Sequence, residues 1–129
     1  MKNFDWLENT KNKLEKQKPV YTDKMRNCVR DYANEFIGFK MIYNHQGIKG
    51  INEIMKDHKL ITFEQYLEEK KGLEKYETIT NEEYKNPIVQ KKTRELDEIA
   101  VQFNTNGVTM DEATFQELMK KMFEIIDSR

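Results

Sequence analysis

"TDKMRNCVRDYANEFIGFKMIY", residues 22–43, decides the fold. Met25, Cys28, Val29, Tyr32, Phe36, Phe39 and Tyr43 return every third or fourth residue, which gathers them on one face of an α-helix. A strand would scatter them over both faces of a sheet, because its side chains alternate with a period of two. Thr22 stands where an N-cap belongs, its hydroxyl oxygen free to accept from an unpaired amide of the first turn. This is the strongest apolar stripe in the chain, and it predicts the spine of the core. Gly38 interrupts it, at a helix cost of about 1 kcal/mol relative to alanine. A bend, or the close approach of a second helix, is expected there.

The same period extends in both directions. Upstream, Phe4, Leu7 and Leu14 outline a weaker helix, with Asn3 as its cap and Trp6 beside the stripe. It stops before Pro19, because a residue preceding proline is driven from helical geometry. Downstream, "NHQGIKG" at 44–50 punctuates the chain, and Ile48, Ile51, Ile54 and Met55 outline a short helix. Thr62 and Gln65 form a capping box for a helix burying Phe63, Tyr66 and Leu67. Gly72 is placed to end that helix in a left-handed turn. Tyr76, Thr78 and Thr80 alternate as a short strand would, but no partner strand exists, so residues 74–80 read as a loop or extended segment. Thr80 and Glu83 add a short turn. Pro87, after Asn86, opens a further helix at no hydrogen-bond cost, with Ile88, Leu96, Ile99 and Phe103 on its inner side. The expected fold is all-α or nearly so, a compact bundle of five or six helices forming one domain over residues 1–129.

Residues 51–73, "INEIMKDHKLITFEQYLEEKKGL", resemble the short helical hairpins of the SHOCT family. The likeness is carried by Ile54, Leu60, Ile61, Thr62, Tyr66 and Leu73: a helix, an Ile-Thr cap, then a helix with an aromatic residue and lysines. His58 and Lys59 stand where that family commonly has glycine. The resemblance implies a helical hairpin over this segment and brings no activity with it.

"FNTNGVTMDEATFQEL", residues 103–118, has the look of a calcium loop. Such a loop takes oxygen ligands at positions 1, 3, 5 and 12, around a glycine at 6. With Gly107 at position 6, Gln102, Asn104 and Asn106 fill the first three ligand positions, and Ala113 falls where a bidentate Glu should stand. Neutral amides compensate poorly for the water a dication sheds. As a helix start the segment accounts for more of its residues. Asn106-Gly107 is a turn pair tolerant of positive φ, Thr109 and Glu112 make a capping box, and Asp111 and Glu112 suit the positive end of the dipole. Phe115, Leu118, Met119, Met122, Phe123 and Ile126 then form the stripe of the last helix.

Catalytic groups are scarce. His45 and His58 are the only histidines, and no paired spacing joins them to each other or to Cys28 as zinc ligands would require. Cys28 lies within an apolar stripe, the usual place of a small buried thiol. Glu82-Glu83 and Glu95/Glu98 have the spacing of helix surfaces and lack an oriented partner. Neither a dinucleotide fingerprint nor a P-loop is present. No catalytic residue, cofactor or metal is expected, and the chain is expected not to be an enzyme.

Charge narrows the remaining classes. Charged residues make up 35% of the chain, above the average of roughly 25%, yet the 22 basic and 23 acidic residues nearly cancel. That balance argues against a surface devoted wholly to nucleic acid. Residues 1–60 carry 12 basic against 8 acidic side chains, whereas residues 61–129 carry 10 against 15, so the two halves are oppositely biased. The basic residues Lys11, Lys16, Lys18, Lys24, Arg26 and Arg30 are the candidate partner-binding set. A single cysteine, no signal-peptide run and no apolar span fit a cytoplasmic protein with no membrane partner. The expected function is a non-enzymatic protein–protein interaction module, such as a small regulator, adaptor or inhibitor of a phage or mobile element. Seven Met and thirteen Phe or Tyr could serve such a contact face or simply the core. The alternative is a nucleic-acid-binding regulator using the basic N-terminal region; a homodimer is compatible with either.

Overall fold

A computed structural model of the protein describes residues 19–128. The helix expected over residues 4–14 lies outside the described residues. Five α-helices enclose one hydrophobic core, with no strand among the described residues.

Helix α1 (Asp23–Ile54) begins as expected: Thr22 is extended and its Oγ1 accepts from the Met25 amide at 3.2 Å. Met25, Cys28, Val29, Tyr32, Phe36 and Phe39 are all buried, and Tyr43 is half-buried. Gly38 produces neither the bend nor the close packing expected of it. The helix runs straight through, and a Cβ there would meet nothing within 4 Å. The bend falls at Gly47 instead, where φ is 67° and ψ −165°, a conformation essentially confined to glycine. Thus residues 44–50 are helix broken at one residue, and the limb beyond redirects Ile51 and Met55 into the core.

Helix α2 (Phe63–Lys70) carries the expected capping box, with Thr62 Oγ1 and the Gln65 side chain each accepting from the other residue's amide. Residues 51–73 thus comprise the last turn of α1, a connecting segment and α2. Gly72 is left-handed as expected, at φ 84°. With Lys71 at φ −62° and ψ 128°, and Leu73 N donating to Lys70 O at 3.2 Å, it serves a type II turn. Residues 76–80 form neither helix nor strand, and Thr80, itself extended, boxes with Glu83 the start of the one-turn α3 (Asn81–Tyr84).

In α4 (Pro87–Asn106) the inner face is Val89, Lys92, Thr93, Leu96, Ile99, Ala100 and Phe103, with Ile88 only half-buried. The apolar pattern misplaces the first turns because a lysine and a threonine occupy inner positions. A 3₁₀ turn (Gly107–Thr109) leads to α5 (Glu112–Asp127). Two expectations fail here. Asp111, not Thr109, caps α5, accepting from the Thr114 amide at 2.8 Å, because the 3₁₀ turn consumes Thr109. Gly107 has an ordinary helical φ of −58°; glycine is needed because a Cβ would stand 2.6 Å from Met55 Cγ. The Asn52 amide holds this turn by donating to Gly107 O at 2.9 Å and Met110 O at 3.3 Å. Along α5, Ile125 rather than Phe123 completes the buried seam, and Phe123 is 38% exposed.

Aromatic rings connect every helix. Tyr84 of α3 stacks on Phe63 of α2, Phe63 meets Tyr32 edge-on, and Tyr32 meets Phe36, both from α1. Phe36 then touches Phe103 of α4, Phe103 touches Phe115 of α5, and Phe115 stacks on Tyr43 of α1 at 4.6 Å. Each such pair adds about 0.5–1.5 kcal/mol beyond area burial.

Lys92 is only 4% exposed. Its ammonium donates to Ile125 O at 2.8 Å, Ser128 O at 2.5 Å and Ser128 Oγ at 2.7 Å, and it lies 5.3 Å from the centre of the Tyr21 ring. Three acceptors match the three protons of an ammonium, and a cation suits the C-terminal end of α5. Burial pushes its pKa down, while Glu95 pulls the other way.

Two tests follow from this architecture. Gly38→Ala should stabilise the fold by about 0.4–1 kcal/mol through a stiffer unfolded chain, whereas Gly47→Ala should destabilise it by about 1–3 kcal/mol through backbone strain. Lys92→Met should cost about 1–3 kcal/mol by stripping buried carbonyls of their donor. Urea denaturation measures all three.

Candidate functional site

Of the six basic candidates, Lys24, Arg26 and Arg30 are among the described residues. Lys11, Lys16 and Lys18 lie outside the described residues. Lys24 forms a 2.9 Å ion pair with Glu83, with both side chains largely shielded at 31% and 24% exposure. It ties α1 to α3 and is already partnered. The Thr80 amide, and then Lys24, hold Glu83 below the usual carboxylate range. Arg26 lies over the Tyr21 ring at 5.5 Å and 3.6 Å from Asp23. Arg30, one turn further on the same face, is exposed. Of the described candidates, only Arg26 and Arg30 thus share a surface.

The more developed surface is α4, whose inner stripe leaves a polar outer face flanked by two grooves. Between α4 and α5 lies a groove of about 360 Å³, floored by Ile99 and Ile125 and edged by Glu95, Glu98, Gln102, Lys121 and Glu124. On the other side, toward α2 and α3, lies a groove of about 460 Å³ bounded by Gln90, Arg94, Asp97, Glu98 and Val101 of α4 and by Glu64 and Tyr84. Glu98 belongs to both and stands on the crest. Together the walls carry five carboxylates against the two cations Arg94 and Lys121, and Lys121 also lies 3.7 Å from Glu117. Glu95 and Glu98 were legible in the sequence as a surface pair. Their framing by grooves was not, because it depends on which elements pack beside α4.

Asp97 in the second groove has a structural task. Its Oδ1 accepts from the Phe63 amide at 3.0 Å and from the Tyr32 hydroxyl at 2.8 Å. The same hydroxyl lies 2.8 Å from Ile61 O. Seven residues on, the Asn104 side chain pairs with both backbone groups of Leu60, each at 2.8 Å, and Lys59 donates to Asn104 O at 3.1 Å. Asp97 and Asn104 thus clamp residues 60–63 onto α4. In the segment resembling a calcium loop, Asn104 is therefore occupied by Leu60, and Asp111 by helix capping. No group of three or more His, Cys, Asp or Glu that could hold a metal occurs among the described residues.

Other reactive groups are dispersed. Cys28 is 3% exposed, and burial pushes its thiol pKa up, the wrong direction for a nucleophile. His45 is exposed, and His58 packs edge-on to Phe39 at 5.6 Å. The Met and aromatic stock goes mainly inward: Met25, Met55, Met110, Met119 and Met122 are buried, as are Phe36, Phe39, Phe63, Phe103 and Phe115. Exposed large apolar residues are scattered, with Met41 on α1, Val101 on α4, Val108 in the 3₁₀ turn and Phe123 on α5. No helix among the described residues is long and apolar enough to cross a membrane. No protein-family model, curated protein or solved structure matches the chain.

Burial is the main influence on Asp97, raising its pKa against the hydrogen bonds from Tyr32 and Phe63. A raised folded-state pKa gives a stabilising contribution that is fully present below the unfolded value of about 3.9 and is lost as pH rises through the folded value. Asp97→Asn keeps the acceptor oxygen and removes the buried charge. It should match or exceed the parent in stability at pH 7, and that advantage should shrink as pH falls toward 4. Asp97→Ala should cost about 1–3 kcal/mol at both, since the Phe63 amide loses its acceptor and the Tyr32 hydroxyl is left with Ile61 O alone. Denaturation midpoints across that pH range test the sign.

Proposed function

We propose that the protein is a non-enzymatic module that binds another protein through the outer face of α4, and that the partner surface is basic. The observation carrying this reading is the pair of grooves that meet at Glu98, with carboxylates on their walls and an apolar floor at Ile99 and Ile125. Complementary charge steers association and suppresses wrong partners, while grooves beside a helix accept the projecting side chains of a partner. A regulator, adaptor or inhibitor acting by occupancy fits this surface, because such roles need a shaped face and no reacting group.

A second reading is nucleic-acid binding through Arg26 and Arg30, which share an exposed face of α1 beside Tyr21. Phosphate contacts of this kind weaken steeply with salt. The two readings predict opposite variants. Purified protein carrying Glu95→Lys and Glu98→Lys should lose a partner captured by the parent, whereas Arg26→Glu with Arg30→Glu should retain it. The reverse pattern, with binding abolished by added salt, favours phosphate recognition and overturns the acidic-face reading.

A further inference from the structure

A second cleft, away from α4, lies among the middle of α1, the last turn of α2 and the segment that follows it. Its volume is about 380 Å³, and Asp31, Asn34, Glu35, Tyr66, Lys70 and Tyr76 line it. Asp31 and Glu35 stand one turn apart on α1. Like charges at this spacing weaken a helix, and neither carboxylate has an ion-pair partner within 4.0 Å among the described residues. Tyr66 supplies an independent sign. It is only 5% exposed, and its hydroxyl makes no hydrogen bond with a described residue. No side-chain oxygen among the described residues is sealed in without a partner, so the small accessible part of Tyr66 includes that hydroxyl, which opens to the cleft.

The aromatic walls already hold an ammonium. Lys70 Nζ lies 4.5 Å from the centre of the Tyr76 ring and 5.7 Å from that of Tyr66, and Lys75 Nζ approaches Tyr76 at 5.3 Å. Such contacts are cation–π interactions, strongest where water is excluded. Lys70 sits on the rings without an ion pair to either carboxylate, so the oxygens of Asp31, Glu35, Tyr66 and Asn34 remain available. An alkylammonium offers three donors, which suits that set. A dication would find only two carboxylates here.

The geometry points to this cleft as a binding site for an alkylammonium group, delivered by a lysine side chain of a protein partner. The carboxylates and the phenol oxygen accept its protons, the tyrosine rings bound its stem, and Lys70 acts as an internal competitor. That a protein delivers the ammonium rests on the reading of the molecule as a protein-binding module; the ammonium chemistry does not.

The test is a titration of the full chain with the peptide acetyl-Gly-Lys-Gly-amide, followed by NMR of the tyrosine rings. Its ε-acetylated counterpart and spermidine serve as the comparison arms. The lysine peptide should shift the Tyr66 and Tyr76 signals, and the neutral peptide should not. Asp31→Asn with Glu35→Gln, both at exposed positions, should weaken binding about tenfold or more, the loss expected of a charge-assisted hydrogen bond. Tyr66→Phe, which keeps the packed ring, should weaken it less, and Lys70→Met should strengthen it. Equal shifts from the neutral peptide, no shift at Tyr66 and Tyr76, or unchanged affinity in the carboxylate variant would overturn the site. Tighter binding of spermidine than of the lysine peptide would overturn its assignment to a protein side chain. None of these readouts involves Glu95 or Glu98, so failure here is distinct from failure of the α4 reading.

Discussion

The fold depends on how Tyr32 is surrounded. Its side chain is fully buried, and its ring meets Phe36 within α1 and Phe63 and Tyr66 of α2. Its hydroxyl lies 2.8 Å from both Ile61 O and Asp97 Oδ1. One residue thus joins α1, the start of α2 and the middle of α4. A buried phenol needs an acceptor to offset its lost hydration, and two oxygens stand in reach of it, Ile61 O before α2 and Asp97 Oδ1 on α4. The aromatic chain from Tyr84 to Tyr43 packs outward from this point and gives the two ends of the bundle a shared core.

Around that centre, polar side chains organise the irregular segments. Asp97 and Asn104, two turns apart on α4, hold residues 60–63; Asn52 holds the 3₁₀ turn; Lys92 closes the end of α5. Each supplies backbone groups with partners that neither helix nor sheet provides there, as buried main chain demands. These commitments turn one side of α4 inward and leave Glu95, Glu98 and Gln102 facing outward. The polar outer face is therefore a consequence of where the inward polar groups had to go.

The surface that remains is dominated by charge. Because most of the described methionines and phenylalanines are spent in the core, the outer chemistry comes mainly from charged side chains and the hydroxyl edges of tyrosines. Both proposed sites follow from this. At α4 the carboxylates edge grooves with an apolar floor. At Tyr66 they lie beside aromatic rings that already hold a lysine ammonium. In each, recognition would combine a modest apolar contact with oriented charge, the combination that favours selectivity over raw affinity.

Local grammar was legible in the sequence. The spacing within the α1 stripe, the caps at Thr22 and Thr62, the short turn through Thr80 and Glu83 and the Asn86-Pro87 start all involve residues within about one turn of each other, so short-range sterics and hydrogen bonds determined them alone. Where the sequence misled, contacts between distant residues decided. The break expected at 44–50 does fall there, at Gly47, but Gly38 marks no bend, and Gly107 is small because Met55 lies against it. Thr109 yielded its capping role to Asp111 once the 3₁₀ turn formed. Lys92 reads as a surface residue until the end of α5 arrives to accept its protons, and the grooves on either side of α4 exist only after α2, α3 and α5 have packed. Sequence periodicity says which residues turn inward; which inward residues meet, and what their meeting leaves exposed, is fixed by tertiary packing because it links groups that local geometry cannot relate.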